Sequence, residues 1–268
     1  MPVAAGVRAY KVRPGGSGGK GKVMPGTQPA RPPRAFGRSI VHHAPTCRSP
    51  RSPTPVPLTL YFLRHGQTPD SRANVFCGSG RNPDLTGDGV AMAAAFAASY
   101  GGAPWTAVCS SPLGRAMQTA GPVAAAAEMP IEQRDELAEI AYGAWEGRTP
   151  EQVDRDFHDD YVRWTADPAW NPPTGGEPAI TVARRVRRLI DDLTARSDSG
   201  RILLVSHKAT IRIALCSLLD IDVGRFRYRL GCPVASLSVV ELADHGPLLH
   251  RLADRAHLDD RLRSLPGT

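Results

Sequence analysis

Residues 1–56 contain no aspartate or glutamate, while they carry Lys11, Lys20, Lys22 and seven arginines, a charge of +10. The whole chain is only +7, so the remainder holds 23 basic against 26 acidic groups, a balance of −3. That excludes a basic, nucleic-acid-binding body: the positive charge belongs to the tail. The tail is also poor in apolar side chains and rich in Gly, Pro, Ser and Arg. It cannot bury enough surface to offset the entropy of ordering, so residues 1–56 are expected to be a disordered basic tail. Lack of an apolar h-region excludes a secretory signal. Its acid-poor, Arg-rich composition leaves an organelle transit peptide as a second reading, against which the helix-breaking Pro and Gly residues stand. A true start near Met24 or later, and a nonspecific contact with polyanions, are the other readings of this segment.

Nothing in the chain approaches the roughly 18 consecutive apolar residues of a membrane span. The five cysteines (Cys47, Cys77, Cys109, Cys216, Cys232) are odd in number and form no CxxC pair. This excludes a disulfide framework and a zinc ribbon, and predicts reduced thiols in a cytoplasmic protein without a metal site. Cys216, inside the apolar run "IRIALCSLL", reads as a core thiol.

What is present begins at about residue 57. "LTLYFL" (58–63), "WTAVCSS" (105–111) and "RILLVSH" (201–207) are continuous apolar strands of the kind buried on both faces of a parallel sheet. Between them lie helical segments: "GVAMAAAFAASYG" (89–101), "PLGRAMQTAGPVAAAA" with proline at an N-terminal position, and "AITVARRVRRLIDDLTAR". The last sets Ile180, Ala183, Val186, Ile190 and Leu193 on one face. "TPEQVDRDFHDDYVRWTADP" (149–168) reads as a helix started by Thr149, Pro150 and Gln152. A short strand near "IEQRDEL" and closing edge strands at "SLSVVEL" and "LLHRLA" complete the pattern. Alternation of this kind predicts an α/β domain over residues 57–258 with a mostly parallel, doubly wound sheet, followed by a flexible C-terminus, 259–268.

Chemistry-bearing residues sit where strands end: Arg64 and His65 after the first, Arg115 past the second, His207 after the third. Ligands bind beyond the carboxyl ends of strands in open α/β sheets, so three strand ends aim these groups at one crevice. Two guanidinium groups match the oxygens of a phosphate dianion. An imidazole beside them is discouraged from protonating and stays nucleophilic, and a nearby carboxylic acid has only to protonate a departing alkoxide.

"LRHGQT", "SSPLGRAMQTA", "LAEIAYGAWEG", "GGEP" and "LLVSHKATIR", in this order, resemble the histidine phosphatase superfamily, which includes the cofactor-dependent phosphoglycerate mutases. The resemblance spans about residues 57–255 and implies a three-layer, phosphoglycerate mutase-like sandwich. It implies that His65 is the nucleophile that becomes phosphohistidine, that Arg64 and Arg115 clamp the phosphate, and that His207 donates a further hydrogen bond to it. Glu139 matches the general acid, with Glu136 and Glu146 close enough to compete for that role. Cys77 and Gly78 fall where the family places substrate-proximal residues, and Glu177 at a supportive position. Three positions depart from the family pattern: Ser71 replaces a common asparagine but keeps a hydroxyl for a phosphate oxygen, Val75 stands near a common arginine, and Lys208 adds a cation at the mouth of the site. The remaining histidines (His42, His43, His158, His245, His250, His257) have no constellation around them.

The function these residues imply is hydrolysis of a small phosphorylated metabolite, a phosphomonoester, without cofactor or metal. Within that superfamily, the stretch from "YVRWTADP" through "SHKATIRIALCSLLDID" to "RFRYRLGCPVASLSVVEL" resembles metal-independent phosphoserine and α-ribazole-phosphate phosphatases. Mutase-type phosphoryl transfer is the alternative within the fold; the short interval of 68 residues between Glu139 and His207 favours hydrolysis, because the mutases carry a long insertion there. A catalytically inactive phosphate-binding member, and a protein whose function lies in its polyanion-binding tail, are the alternatives of other classes. The resemblance implies no specific nucleic-acid partner and no membrane, and allows a homodimer.

Overall fold

The computed structural model describes residues 57–267; the tail expected over residues 1–56 lies outside them. Strand β1 (Leu58–Arg64) leads through the single turn α1 (Pro69–Arg72) to α2 (Gly87–Tyr100). β2 (Ala107–Ser110), α3 (Gly114–Ala126) and β3 (Ile131–Gln133) follow, then α4 (Pro150–Asp156), α5 (His158–Ala166) and α6 (Ala179–Arg196). The chain continues through β4 (Arg201–Ser206), α7 (Lys208–Leu218), α8 (Phe226–Arg229), β5 (Leu237–Ala243), β6 (Gly246–Asp254) and α9 (Asp260–Ser264).

One sheet has the order β3-β2-β4-β1-β5-β6. β3, β2, β4 and β1 run parallel, and the β5–β6 hairpin joins the β1 edge antiparallel. Alternate strand residues sort onto opposite faces, as a period of two requires. Leu60, Phe62, Ile202 and Leu204 pack against the apolar faces of α6 and α7. Leu63, Val108, Leu203 and Val205 pack against α2 and α3 through Phe96, Ala116, Ala120 and Val123. Helices therefore cover both faces, and the expected three-layer α/β sandwich is present, its sheet mostly parallel with the antiparallel hairpin at one edge.

Register positions the site. β1 and β4 are neighbours with Arg64 opposite Ser206, and the His65 amide donates to the Ser206 carbonyl at 3.0 Å. The next residue on each strand is a histidine, so His65 and His207 leave the sheet side by side. β2 pairs Ser110 with Val205 on the other side of β4, which brings Ser111 and the start of α3 to the same edge. Gly66 follows His65 because its backbone lies against the first turn of α2: a Cβ there would come within 2.5 Å of the Gly89 carbonyl oxygen.

Several boundaries differ from expectation. α3 begins at Gly114 with Leu113 as its N-cap, so Pro112 precedes the helix instead of opening it. The segment 149–168 is two helices broken at Phe157, whose backbone leaves helical values (φ −138°, ψ 40°). The break lets both halves pack on one aromatic cluster containing Trp145, Val153 and Trp164. Its N-terminus is as expected, a capping box between Thr149 and Gln152 behind Pro150. On α6, Ile180 is only half-buried, and Ala179 and Val182 take its place on the buried face.

The C-terminal segment, expected to be flexible over 259–268, is instead docked as far as Gly267. Asp259 caps α9 by accepting from the Leu262 amide at 2.7 Å. Leu258 and Leu262 are buried against Met92, Val234 and Ala235, with Leu265 packed alongside. The spacing of Leu258, Leu262 and Leu265 is a helical stripe in "LDDRLRSL" that charge-rich surroundings obscure. Leu262→Ala is expected to lower stability by about 2 kcal/mol, the small end of the range for a buried leucine. Urea unfolding measures it, and a loss below about 0.5 kcal/mol, the scale of an ordinary surface change, would mean that α9 is not docked.

Candidate active site

A cavity of about 250 Å³ opens at the carboxyl ends of β1 and β4. It is smaller than the roughly 300–1,000 Å³ of sites that enclose drug-sized ligands, so it suits a small metabolite. Arg64, His65, Ser71, Cys77, Arg115, Glu139 and Lys208 all line it. His207 and Gly78, also expected at the site, are not among the lining residues.

His65 is buried, and its Nδ1 lies 2.7 Å from the Gly66 carbonyl oxygen. A carbonyl only accepts, so Nδ1 carries the hydrogen. Burial first, then the Arg115 and Arg64 charges, hold this imidazole well below its ordinary pKa. It is therefore neutral, and its Nε2 is left with a free lone pair. That is the form a nucleophile requires.

Both guanidinium groups beside it are held by backbone carbonyls. Arg64 donates from Nη1 to Cys232 O at 2.7 Å and to Gly267 O at 3.0 Å, while its Nε is buried without a hydrogen-bond partner. Arg115, in the first turn of α3, donates from Nη1 to Arg81 O at 2.7 Å and from Nη2 to Gly78 O at 3.1 Å. Among the described residues neither forms an ion pair with a carboxylate. The groups are oriented, and their charge is not cancelled.

His207 stands at the end of β4 as expected, but its ring is engaged by protein partners. It is the N-cap of α7, fully buried, with its ring centroid 5.1 Å from that of His65. Its Nδ1 accepts from Arg115 Nε at 3.2 Å, and its Nε2 is 2.7 Å from Ser111 Oγ. Burial, with Arg115 and His65 next, keeps this ring neutral too. The Arg115 contact fixes Nδ1 as acceptor, so Nε2 carries the hydrogen and gives it to Ser111. His207 thus braces Arg115 from behind instead of facing the cavity.

Glu139 is buried at the N-terminus of α7. Its Oε1 accepts from the amides of Ile140 (2.9 Å) and Thr210 (3.0 Å), and Thr210 Oγ1 is also 3.0 Å away. Oε2 accepts only from the Ala209 amide, at 3.1 Å, and keeps a free lone pair. Two otherwise unpaired helix-end amides thereby find their acceptor. Glu136 pairs with Arg134, and Glu146 accepts the amides of Gly78, Gly80 and Tyr142, so neither rival carboxylate reaches the cavity. Glu177 forms an ion pair with Arg185, a supporting contact.

Two further expectations, Ser71 and Gly78, need correction, whereas Cys77 and Lys208 line the cavity as expected. Ser71 lines the cavity, but its hydroxyl donates to Thr68 O at 3.0 Å and accepts from the Thr68 amide, closing a capping box on α1. Its single proton is thus not offered to a phosphate oxygen. Gly78 is a packing residue whose carbonyl holds Arg115; a Cβ there would meet Glu146 Oε1 and Ile140 O at 2.4 Å. Cys77 does face the cavity, yet burial pushes its thiol up to about 12, with Asp70 adding to the rise. It stays protonated and is no rival nucleophile.

Sequence reasoning missed the outer ring of supports. Thr119 Oγ1 accepts the Gly66 amide at 3.0 Å and donates to Arg115 O at 2.8 Å, tying the β1 loop to α3. Arg81, whose carbonyl holds Arg115, is itself anchored to Asp70 at 2.7 and 3.2 Å. Arg212 and Arg227 also line the cavity. Arg227 lies in "RFRYRL", where three alternating arginines give no signal to choose one.

Residues 60–255 match the family model described as "Histidine phosphatase superfamily (branch 1)". The chain belongs to the histidine phosphatase superfamily. A bifunctional protein of Mycobacterium tuberculosis is 39% identical over 203 residues, covering 74% of this chain and 54% of that protein. The chain thus spans about half the length of that relative. The adenosylcobalamin/alpha-ribazole phosphatase of Salmonella typhimurium is 32% identical, over 65% of this chain and 88% of that one. Among solved structures, a mycobacterial glucosyl-3-phosphoglycerate phosphatase superposes with a TM-score of 0.67 at 27% identity, covering 74% and 99% of the two chains. In this superfamily member Arg64, His65, Arg115 and Glu139 line one cavity.

Two neutral buried imidazoles make stability depend on pH. As pH falls below about 6.5 the unfolded chain binds protons at His65 and His207, while the folded site does not until lower pH. The unfolded state then holds more protons, so stability declines from about pH 6.5 downwards by up to roughly 1.4 kcal/mol per pH unit for each ring. Urea unfolding at about pH 7 and 5.5 is expected to give His65→Gln a loss about 1 kcal/mol smaller than the parent. Equal losses would mean that His65 titrates normally when folded.

Proposed function

We propose that the protein hydrolyses small phosphomonoesters through a phosphohistidine at His65. The observation that carries this reading is the His65 ring. It is buried, neutral and oriented by the Gly66 carbonyl, with Nε2 beside two guanidinium groups that, among the described residues, form no ion pair with a carboxylate. Family membership and the phosphatases among the relatives support the same class of reaction.

In the first half-reaction the Nε2 lone pair attacks phosphorus and the P–O bond to the alcohol breaks. Arg64 and Arg115 balance the charge spread over the transferring oxygens. Glu139 supplies the proton that the departing alkoxide needs, from the carboxyl oxygen that has only one hydrogen-bond partner. In the second, Glu139 takes a proton from water as the water oxygen attacks phosphorus. The P–N bond breaks, returning the lone pair to Nε2 and releasing inorganic phosphate. His207 acts through Arg115, whose Nε it accepts, and is a positioning residue in this scheme.

With p-nitrophenyl phosphate as substrate, His65→Ala is expected to reduce turnover to the uncatalysed background. Parent enzyme quenched in alkaline detergent should carry an acid-labile, base-stable phosphoryl group on that residue. Label recovered on any other side chain would overturn the mechanism. Arg115→Ala is expected to lower kcat/KM by about 10²–10³, the scale for loss of one preorganised charge donor. Unchanged kcat/KM in a folded variant would remove Arg115 from the phosphate site.

A further inference from the structure

The cavity holds more positive charge than phosphoryl transfer uses. Lys208 opens α7, Arg212 lies one turn further along, and Arg227 comes from α8; all three line the same cavity as Arg64 and Arg115. Among the described residues, none of the three forms an ion pair with a carboxylate. Arg212 is fixed by carbonyls, donating from Nη2 to Arg227 O at 2.9 Å and from Nε to Leu230 O. The Arg227 guanidinium lies 3.8 Å from the Trp164 ring centroid, and its Nη1 is buried with no hydrogen-bond partner.

Like charges gathered in a partly buried site repel, and each resists losing its water. The cost appears on Lys208: burial, followed by Arg64 and Arg212, brings its ammonium down to about 8. Glu139, the one acidic residue lining the cavity among the described residues, is already engaged by the amides at the start of α7. A phosphate dianion matches the two inner guanidinium groups, and the outer three cations are left without a counter-charge. A buried guanidinium nitrogen with no partner is the mark of a donor awaiting an acceptor.

We propose that Lys208 and Arg227, backed by Arg212, form a second anion subsite, so that the substrate is a small phosphomonoester whose alcohol part carries a carboxylate or a second phosphate. This rests on the phosphatase reading above. Phe76 and Tyr142 line the same cavity and offer apolar faces to a short carbon chain.

Three substrates of one size test it: glycerol 3-phosphate, with a neutral end; 3-phosphoglycerate, with a carboxylate; and propane-1,3-diol bisphosphate, with a second phosphate. At least one charged compound is expected to exceed glycerol 3-phosphate in kcat/KM by about tenfold or more, the worth of a charge-assisted hydrogen bond, and the better one identifies the anion. Lys208→Met and Arg227→Met should each shrink that ratio several-fold, with Arg227→Lys retaining part of it. Equal kcat/KM for all three compounds, with p-nitrophenyl phosphate still hydrolysed, would overturn the subsite and leave the phosphatase reading intact. The full-length His65→Ala protein, titrated calorimetrically with the same compounds, reads the subsite without turnover. Preferential binding of a charged compound supports it even where phosphohistidine chemistry fails, and equal affinities overturn it.

Discussion

Two buried guanidinium groups, each held by neutral backbone carbonyls, are the arrangement on which the rest of the site depends. A carboxylate would orient Arg64 or Arg115 equally well, but it would also cancel the charge that a phosphate must meet. Carbonyls of Cys232, Gly267, Arg81 and Gly78 give direction without neutralising it. The uncancelled field then acts on the neighbouring imidazoles and, with burial, keeps both free of protons. In the proposed reaction one choice of partner thus sets both the binding of the anion and the reactivity of the ring.

Holding such groups in place requires distant pieces of chain to meet, and the sheet arranges it. The β1–β4 register sets the two histidines side by side, and the β2–β4 register brings Ser111 and α3 to them. The carbonyls arrive from elsewhere: the loop before β5, the segment after α9, and the loop between α1 and α2. The Arg81–Asp70 ion pair, the Glu146 contacts and the Thr119 hydroxyl keep those loops in position. Residues without any direct part in the chemistry therefore decide whether it is possible.

The strand–helix alternation and the group of Arg64, His65 and Arg115 were legible in the sequence, because apolar runs end abruptly in charged residues; Glu139 was legible only through the family resemblance, which left Glu136 and Glu146 as rivals. Layering was legible for the same reason, since each strand's alternate residues had to satisfy two faces. What could not be read was the assignment of hydrogen bonds. Ser71 has a hydroxyl that composition makes available, but a capping box on α1 consumes it. His207 sits where a ligand contact was expected, and the Arg115 and Ser111 contacts turn its nitrogens away from the cavity. Gly78 reads as a substrate neighbour and is instead a point of backbone contact. α9 was obscured because Leu262 and the flanking Leu258 and Leu265 are diluted by charge, and only docking onto Met92 and Val234 gives the stripe a purpose.

The way Glu139 terminates α7 has a mechanical consequence. In the proposed reaction Glu139 gives up a proton and takes one back in each turn, and its strength as an acceptor changes with it. Here its acceptor oxygens also stitch down the amides of Ala209 and Thr210. The grip on the first turn of that helix would loosen and tighten as the proton comes and goes, and Lys208 rides on that turn. Departure of the alcohol and the footing of the outermost cation would then be linked through a single side chain.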